Sequence, residues 1–180
     1  EAYYQSILVS QQQEYAVNPS RFENAMEKGE TVVFIPAGYR RIKRLFIGYS
    51  DIECGMIKEL KGYDKPEALE DTIATAYRNI AGKVEEVAAR IEADDTTFDE
   101  LIGIYSDGEQ PEGGYYVCSS TSRLDGSMVE AAMALGSPGE ISGPVREDLG
   151  ASFLMYVGDV EPAGAVAFDE VRGSLLDGAY

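Results

Sequence analysis

The apolar residues of this chain recur with two different periods. From Pro66 onward, Leu69, Ile73, Ala76, Tyr77, Ile80, Val84, Val87, Ala88 and Ile91 return every three or four positions. That period predicts one long helix to about Ala93, opened by Lys65-Pro66. Phe98, Leu101 and Ile104 repeat the spacing over a short helix to Tyr105, with Asp95, Thr96 or Thr97 as its cap and Asp99-Glu100 at its positive end. Glu1 to Tyr15 predicts a helix with Tyr4, Ile7, Leu8 and Tyr15 near one face. After the Asn18-Pro19-Ser20 break, Pro19 or Ser20 begins a second helix through Glu27.

Elsewhere the pattern is that of strands. Thr31 to Ile35 is β-branched and aromatic, and Tyr39 to Tyr49 reads as a strong strand. In extended geometry Ile42, Arg44 and Phe46 share one face of it, and Leu45 and Ile47 the other. Ser50 to Tyr63 has a weaker period and predicts a broken helix around Met56 to Leu60. Ser106 to Ser127 is polar, rich in Gly and Ser, and too long for a plain connector, which predicts a functional or partly folded loop. Met128 to Val157 then reads as a short helix, a Gly-Pro turn, a strand, a tight Gly turn and a second strand, and Phe168 to Leu176 as a last helix. The closing strands can flank the Tyr39–Tyr49 strand, which predicts an α+β fold: a small, mostly antiparallel sheet with helices on its face.

Composition narrows the chemistry. The 180 residues are 44% hydrophobic and 26% charged, an ordinary globular profile. Net charge is -17, from 15 basic and 32 acidic residues, so nucleic acid is not expected as a partner. Histidine is absent, which excludes histidine-based triads, imidazole zinc sites and imidazole acid-base catalysis; no metal and no cofactor are expected. The two cysteines, Cys54 and Cys118, form no metal motif and can pair only if the fold brings them together. No run reaches the ~18 apolar residues of a membrane span. The chain begins at Glu1 without Met or a basic-apolar leader, as a processed or excised form does, so its start is silent on compartment.

Several segments, taken in order, resemble the parvulin-type peptidyl-prolyl isomerases. Arg44-Leu45-Phe46-Ile47 matches the family's first-strand run, and Phe98-Asp99-Glu100-Leu101 with Tyr105-Ser106-Asp107 its middle segment. Gly113-Gly114 and the helix end Ala131-Ala132-Met133-Ala134-Leu135 follow. Gly139-Glu140-Ile141-Ser142-Gly143-Pro144-Val145 is similar to the family's Gly-Glu-Ile-Ser-x-Pro-Val signature, and Gly150-Ala151-Ser152-Phe153-Leu154 to its final strand. The resemblance runs from about Tyr39 to Val160. It implies a parvulin-like domain at 39–162 with a lengthened helical region (50–95), an N-terminal helical extension with a short strand at 1–38, and a C-terminal helix at 163–180.

The resemblance also implies a function and a site. The expected activity is peptidyl-prolyl cis-trans isomerisation by a foldase, acting on proline-containing unfolded or exported polypeptides. The expected setting is extracytoplasmic, at a bacterial cell surface or secreted, with any membrane attachment through a lipid anchor outside this chain. The two family histidines fall at Arg44 and Ser152, which predicts weakened turnover and leaves a non-catalytic chaperone or peptide-binding module as the alternative. Asp107 stands beside the bound amide by resemblance; by its Ser-Asp-Gly context it is a turn residue. Leu124, Met128 and Tyr116 are the expected proline-pocket wall, and Met128 and Leu124 read equally as core. An Arg on a sheet face needs a partner, so Arg44 is expected either to pair with Asp107 or to reach solvent with Arg40, Arg41 and Lys43 as a charged strand edge.

Overall fold

The computed structural model describes residues 1–177. Its helices are α1 (Ala2–Val17), α2 (Pro19–Glu27), α3 (Asp51–Lys61), α4 (Pro66–Ala93), α5 (Phe98–Tyr105), α6 (Gly126–Ala134) and α7 (Phe168–Asp177). Its strands are β1 (Phe34–Ile35), β2 (Arg40–Gly48), β3 (Tyr115–Val117), β4 (Val145–Glu147), β5 (Gly150–Asp159) and β6 (Gly164–Ala165). Four strands form one sheet in the order β3-β2-β5-β4, and β1 pairs with β6. The fold is α+β, with helices around a small antiparallel sheet.

Three elements differ from the expected ones, each for a local reason. The strand expected over Thr31–Ile35 shrinks to Phe34–Ile35. The Gln11 side chain takes over its start: Nε2 donates to Thr31 O (3.0 Å), and Oε1 accepts from the amides of Val33 (2.8 Å) and Phe34 (3.2 Å). The broken helix expected near Met56 is continuous, because Ser50 and Glu53 form a reciprocal capping box that starts it at Asp51. The long polar loop contains β3, paired antiparallel to β2 with Tyr116 opposite Arg41. That pairing makes β2 an inner strand, so its basic residues do not guard a sheet edge.

By contacts the chain divides into two compact units, and β2 and β5 contribute residues to both. The first unit comprises residues 1–43, 110–140 and the chain from Tyr156 on. In it Tyr4, Val33, Val171 and Leu175 form one buried cluster, and Tyr15, Phe22, Tyr39 and Cys118 another. Phe22 is fully buried, with the Tyr39 ring 4.7 Å and the Tyr15 ring 5.5 Å from its own. The second unit comprises Arg44–Glu109 and Ile141–Met155. There Leu45, Ile47, Ala151 and Phe153 from the strands meet Val84 and Val87 of α4 and Phe98 and Leu101 of α5. Each buried Val, Leu, Ile or Phe side chain among them contributes roughly 1.5–3 kcal/mol. The α4 period seen in the sequence is thus the seam by which that helix covers the sheet, while Ala76 and its neighbours pack against Ile57 of α3.

Candidate functional site

In the second unit, β2 carries Arg44, β5 carries Ser152, and the β4–β5 hairpin sets Val145 opposite Ser152 and Glu147 opposite Gly150. Ser152 is fully buried, and its hydroxyl accepts from Arg44 Nε at 2.9 Å. A second guanidinium nitrogen, Nη2, donates to Glu147 Oε2. The Glu147 side chain is only 4% exposed, which makes this a largely desolvated ion pair. The guanidinium also lies over the Phe46 ring, 4.3 Å from its centre, where a cation is attracted by the ring face. Arg44 therefore finds its carboxylate in Glu147 rather than in Asp107, and it does not extend to solvent.

Asp107 follows the end of α5 and serves β2. Its backbone amide donates to Phe46 O (2.7 Å), and its Oδ2 accepts from the Gly48 amide (2.9 Å). Ser106 Oγ accepts from the Phe46 amide at 3.0 Å, so Ser106-Asp107 supplies hydrogen bonds where a neighbouring strand would. The ionic partner of Asp107 is Lys83, at 3.3 Å, with both side chains well exposed. Such a surface pair contributes little to stability.

In the first unit, Tyr116 is half-buried on β3, its ring centre 6.3 Å from that of Phe22 in an edge-to-face arrangement. Leu124 is half-buried in the loop before α6. Met128 is fully buried in the first turn of α6, whose N-terminus is capped by Asp125 Oδ1 accepting from the Ser127 amide (2.9 Å). Of the three expected pocket residues, Leu124 and Tyr116 keep part of their surface open and Met128 does not.

Four residues that no sequence motif marks also matter here: Glu147, Glu23, Glu27 and Arg123. Glu23 and Glu27, one turn apart on α2, both accept from Arg123. Burial pushes the Glu27 carboxyl up, against the opposing pull of the Tyr116 amide and Arg123. Beside this cluster, burial would raise the Cys118 thiol, but hydrogen bonds from Ser120, Tyr39 and Thr121 outweigh it and hold the thiol below its ordinary value. Cys54 and Cys118 are both free thiols. The spacing of Glu23 and Glu27 was visible as an i, i+4 pair, but Arg123 lies in a loop with no periodic pattern to link it to them.

Arg40, another of the basic residues of β2, is also tied down. Its Nη1 donates to the carbonyls of Ala132 (3.1 Å), Met133 (3.4 Å) and Leu135 (2.8 Å), closing the C-terminal end of α6, and its guanidinium lies 4.2 Å from the Tyr156 ring centre. A cleft of about 830 Å³ adjoins it, bounded by Gly38, Met133, Asp159 and Pro162 among others. None of the six expected site residues lines it. Among the described residues, no three His, Cys, Asp or Glu side chains gather as a metal ion would require.

The family model of the PPIC-type PPIase domain, or rotamase, matches residues 65–157. The chain belongs to the PPIC-type peptidyl-prolyl isomerase family. The matched residues include Asp107, Tyr116, Leu124, Met128 and Ser152, while Arg44 and all of β2 precede them. Among curated proteins none matches the chain. Among solved structures, the chain is similar to the crystal structure of PrsA from Bacillus subtilis, with 17% identity, 78% of this chain and 41% of that one covered, and a TM-score of 0.39. The chain thus spans about two fifths of the length of that structure. A rotamase domain acts on proline-containing polypeptides.

Proposed function

We propose that this chain catalyses cis-trans isomerisation of Xaa-Pro bonds in unfolded or exported polypeptides, with an arginine-serine pair where the family has histidines. The observation that carries the reading is the family match over residues 65–157, which spans five of the six expected site residues.

The chemistry suits such residues. The planar amide resists rotation by ~18–20 kcal/mol because the nitrogen lone pair is delocalised into the carbonyl. On twisting, that lone pair localises and becomes a hydrogen-bond acceptor that neither planar form offers. A cationic donor aimed at it binds the twisted state selectively, which is the requirement for catalysis. In this proposal Arg44 is that donor and the buried Ser152 holds its guanidinium, Asp107 adds polarity, and the partly open Leu124 and Tyr116 contact the proline ring while the fully buried Met128 serves as core. Neither a nucleophile nor a proton transfer is needed, so the lack of histidine does not disqualify the chain. The extracytoplasmic setting, with any lipid anchor outside these residues, belongs to the same proposal and rests on the resemblance alone.

A second reading, peptide binding without catalysis, draws on one observation: Arg44 is tied to both Glu147 and Ser152. Exchange NMR on an Xaa-Pro peptide separates the two. Catalysed exchange that weakens in Leu124→Ala and Asp107→Ala supports the isomerase. Binding of unfolded chains without catalysed exchange leaves the chaperone, and the absence of both removes each reading.

A further inference from the structure

Resting on the isomerase reading, we propose that Glu23 and Glu27 of α2 are positioning residues for the loop between β3 and α6 that presents Leu124. Their spacing puts both carboxylates on one helix face. Glu23 is 1% exposed. Its Oε1 accepts from Thr121 Oγ1 (2.7 Å) and from the Tyr39 hydroxyl (3.2 Å), and its Oε2 accepts from Arg123 Nε (2.5 Å). Glu27 Oε1 accepts from the Tyr116 backbone amide at 3.1 Å and from Arg123 Nη2. The loop is closed on itself as well, with Thr121 Oγ1 accepting from the Cys118 amide at 2.9 Å.

One helix therefore grips β3 at Tyr116 and the loop at Thr121 and Arg123. Leu124 is the next residue, and Asp125, which caps α6 ahead of Met128, the one after. A planar guanidinium spanning two carboxylates is fixed in direction as well as place, so the chain that follows it leaves on a set course. Stability alone does not call for such a cluster, since apolar side chains of similar volume serve a core at least as well as buried charges. Helix α2 lies before the residues that the family model matches, so the clamp is a contribution of the N-terminal segment to the substrate loop.

The test uses the whole chain with Glu27→Gln, Glu23→Gln and the charge-keeping Arg123→Lys, read by amide hydrogen exchange and by KM and kcat on an Xaa-Pro peptide. In folded Glu27→Gln, amides of residues 118–125 exchange about tenfold faster while those of α4 do not change. KM rises about fivefold with kcat within about twofold, and Arg123→Lys falls between this variant and the native chain. A lower melting temperature with unchanged loop protection and unchanged KM overturns the proposal and leaves a purely structural cluster. Glu23 is the more buried acid, so should its variant fail to fold, Glu27→Gln and Arg123→Lys carry the test. If the native chain shows no catalysed exchange, the isomerase reading falls, and loop protection alone decides: faster exchange supports the clamp, unchanged protection overturns it.

Discussion

Arg44 Nε donates to Ser152 Oγ at 2.9 Å, joining the two residues that the sequence resemblance sets against the family's histidines. The pair consists of a guanidinium that stays charged and a hydroxyl that stays neutral, neither of which titrates near neutrality as an imidazole does. The chain contains no histidine elsewhere. Isomerisation is therefore expected to be flat between about pH 6 and 8. The double substitution Arg44→His with Ser152→His should introduce a titration in that window, seen by measuring kcat/KM against pH. An inflection already present in the native chain would contradict this account of the pair.

The partner that holds Arg44 is Glu147, whose side chain is 4% exposed. Replacing it by Ala leaves a guanidinium without its carboxylate in a poorly solvated site and is expected to cost about 3 kcal/mol. Ser152→Ala removes a single charge-assisted hydrogen bond and should cost about 1.5 kcal/mol. Urea denaturation measures both. Equal and negligible losses would mean that Arg44 relaxes to water in the variants.

Two tyrosines of the first unit give the fold an alkaline limit. Burial, reinforced by Glu14 and Glu30 against the pull of Arg21, pushes Tyr15 from 10.0 up to about 12. Burial also raises Tyr39, together with Cys118 and Glu23. Both phenols are favoured neutral in the folded state, so their contribution is complete below pH 10, the ordinary tyrosine value; that of Tyr15 is lost as pH rises through about 12, and that of Tyr39 at higher pH still. Phenolate absorbance should show a late fraction that appears together with loss of helical signal. Titration of all 12 tyrosines near 10, in a chain that stays folded, would go against the burial described here.

Gly150 opens β5 where another backbone passes close by. A Cβ there would sit 2.2 Å from Ile47 O and 2.7 Å from the Phe46 ring, and the first of these is backbone that cannot move aside cheaply. Gly150→Ala should lower stability by about 2–4 kcal/mol, read as a drop in melting temperature. The same change at Gly158, whose Cβ would meet nothing within 4 Å, serves as the control and should be nearly neutral.

The parts of this architecture that were legible in the sequence are those written in local periods. The α4 seam from Leu69 to Ile91, the α5 repeat at Phe98, Leu101 and Ile104, and the β4–β5 pair all follow from spacing that one segment carries by itself. The β3 strand was hidden because three residues in a Gly-rich loop offer no alternation, and only pairing with β2 makes them a strand. Side-chain partners were the least legible. Arg44 was open to pairing with Asp107 or to reaching solvent; the chain has 32 acidic residues, and the one it meets, Glu147, is set by the β4–β5 register and not by any motif. Gln11 is a similar case, since nothing in a polar Gln run marks the one that will satisfy the backbone of Val33.

The central claim is tested most directly by exchange NMR on an Xaa-Pro peptide, comparing the native chain with Arg44→Ala. The account predicts catalysed cis-trans exchange in the native chain, reduced by about a hundredfold in Arg44→Ala while circular dichroism shows that variant still folded. Exchange at the uncatalysed rate in the presence of excess native chain, or full activity in Arg44→Ala, would contradict it.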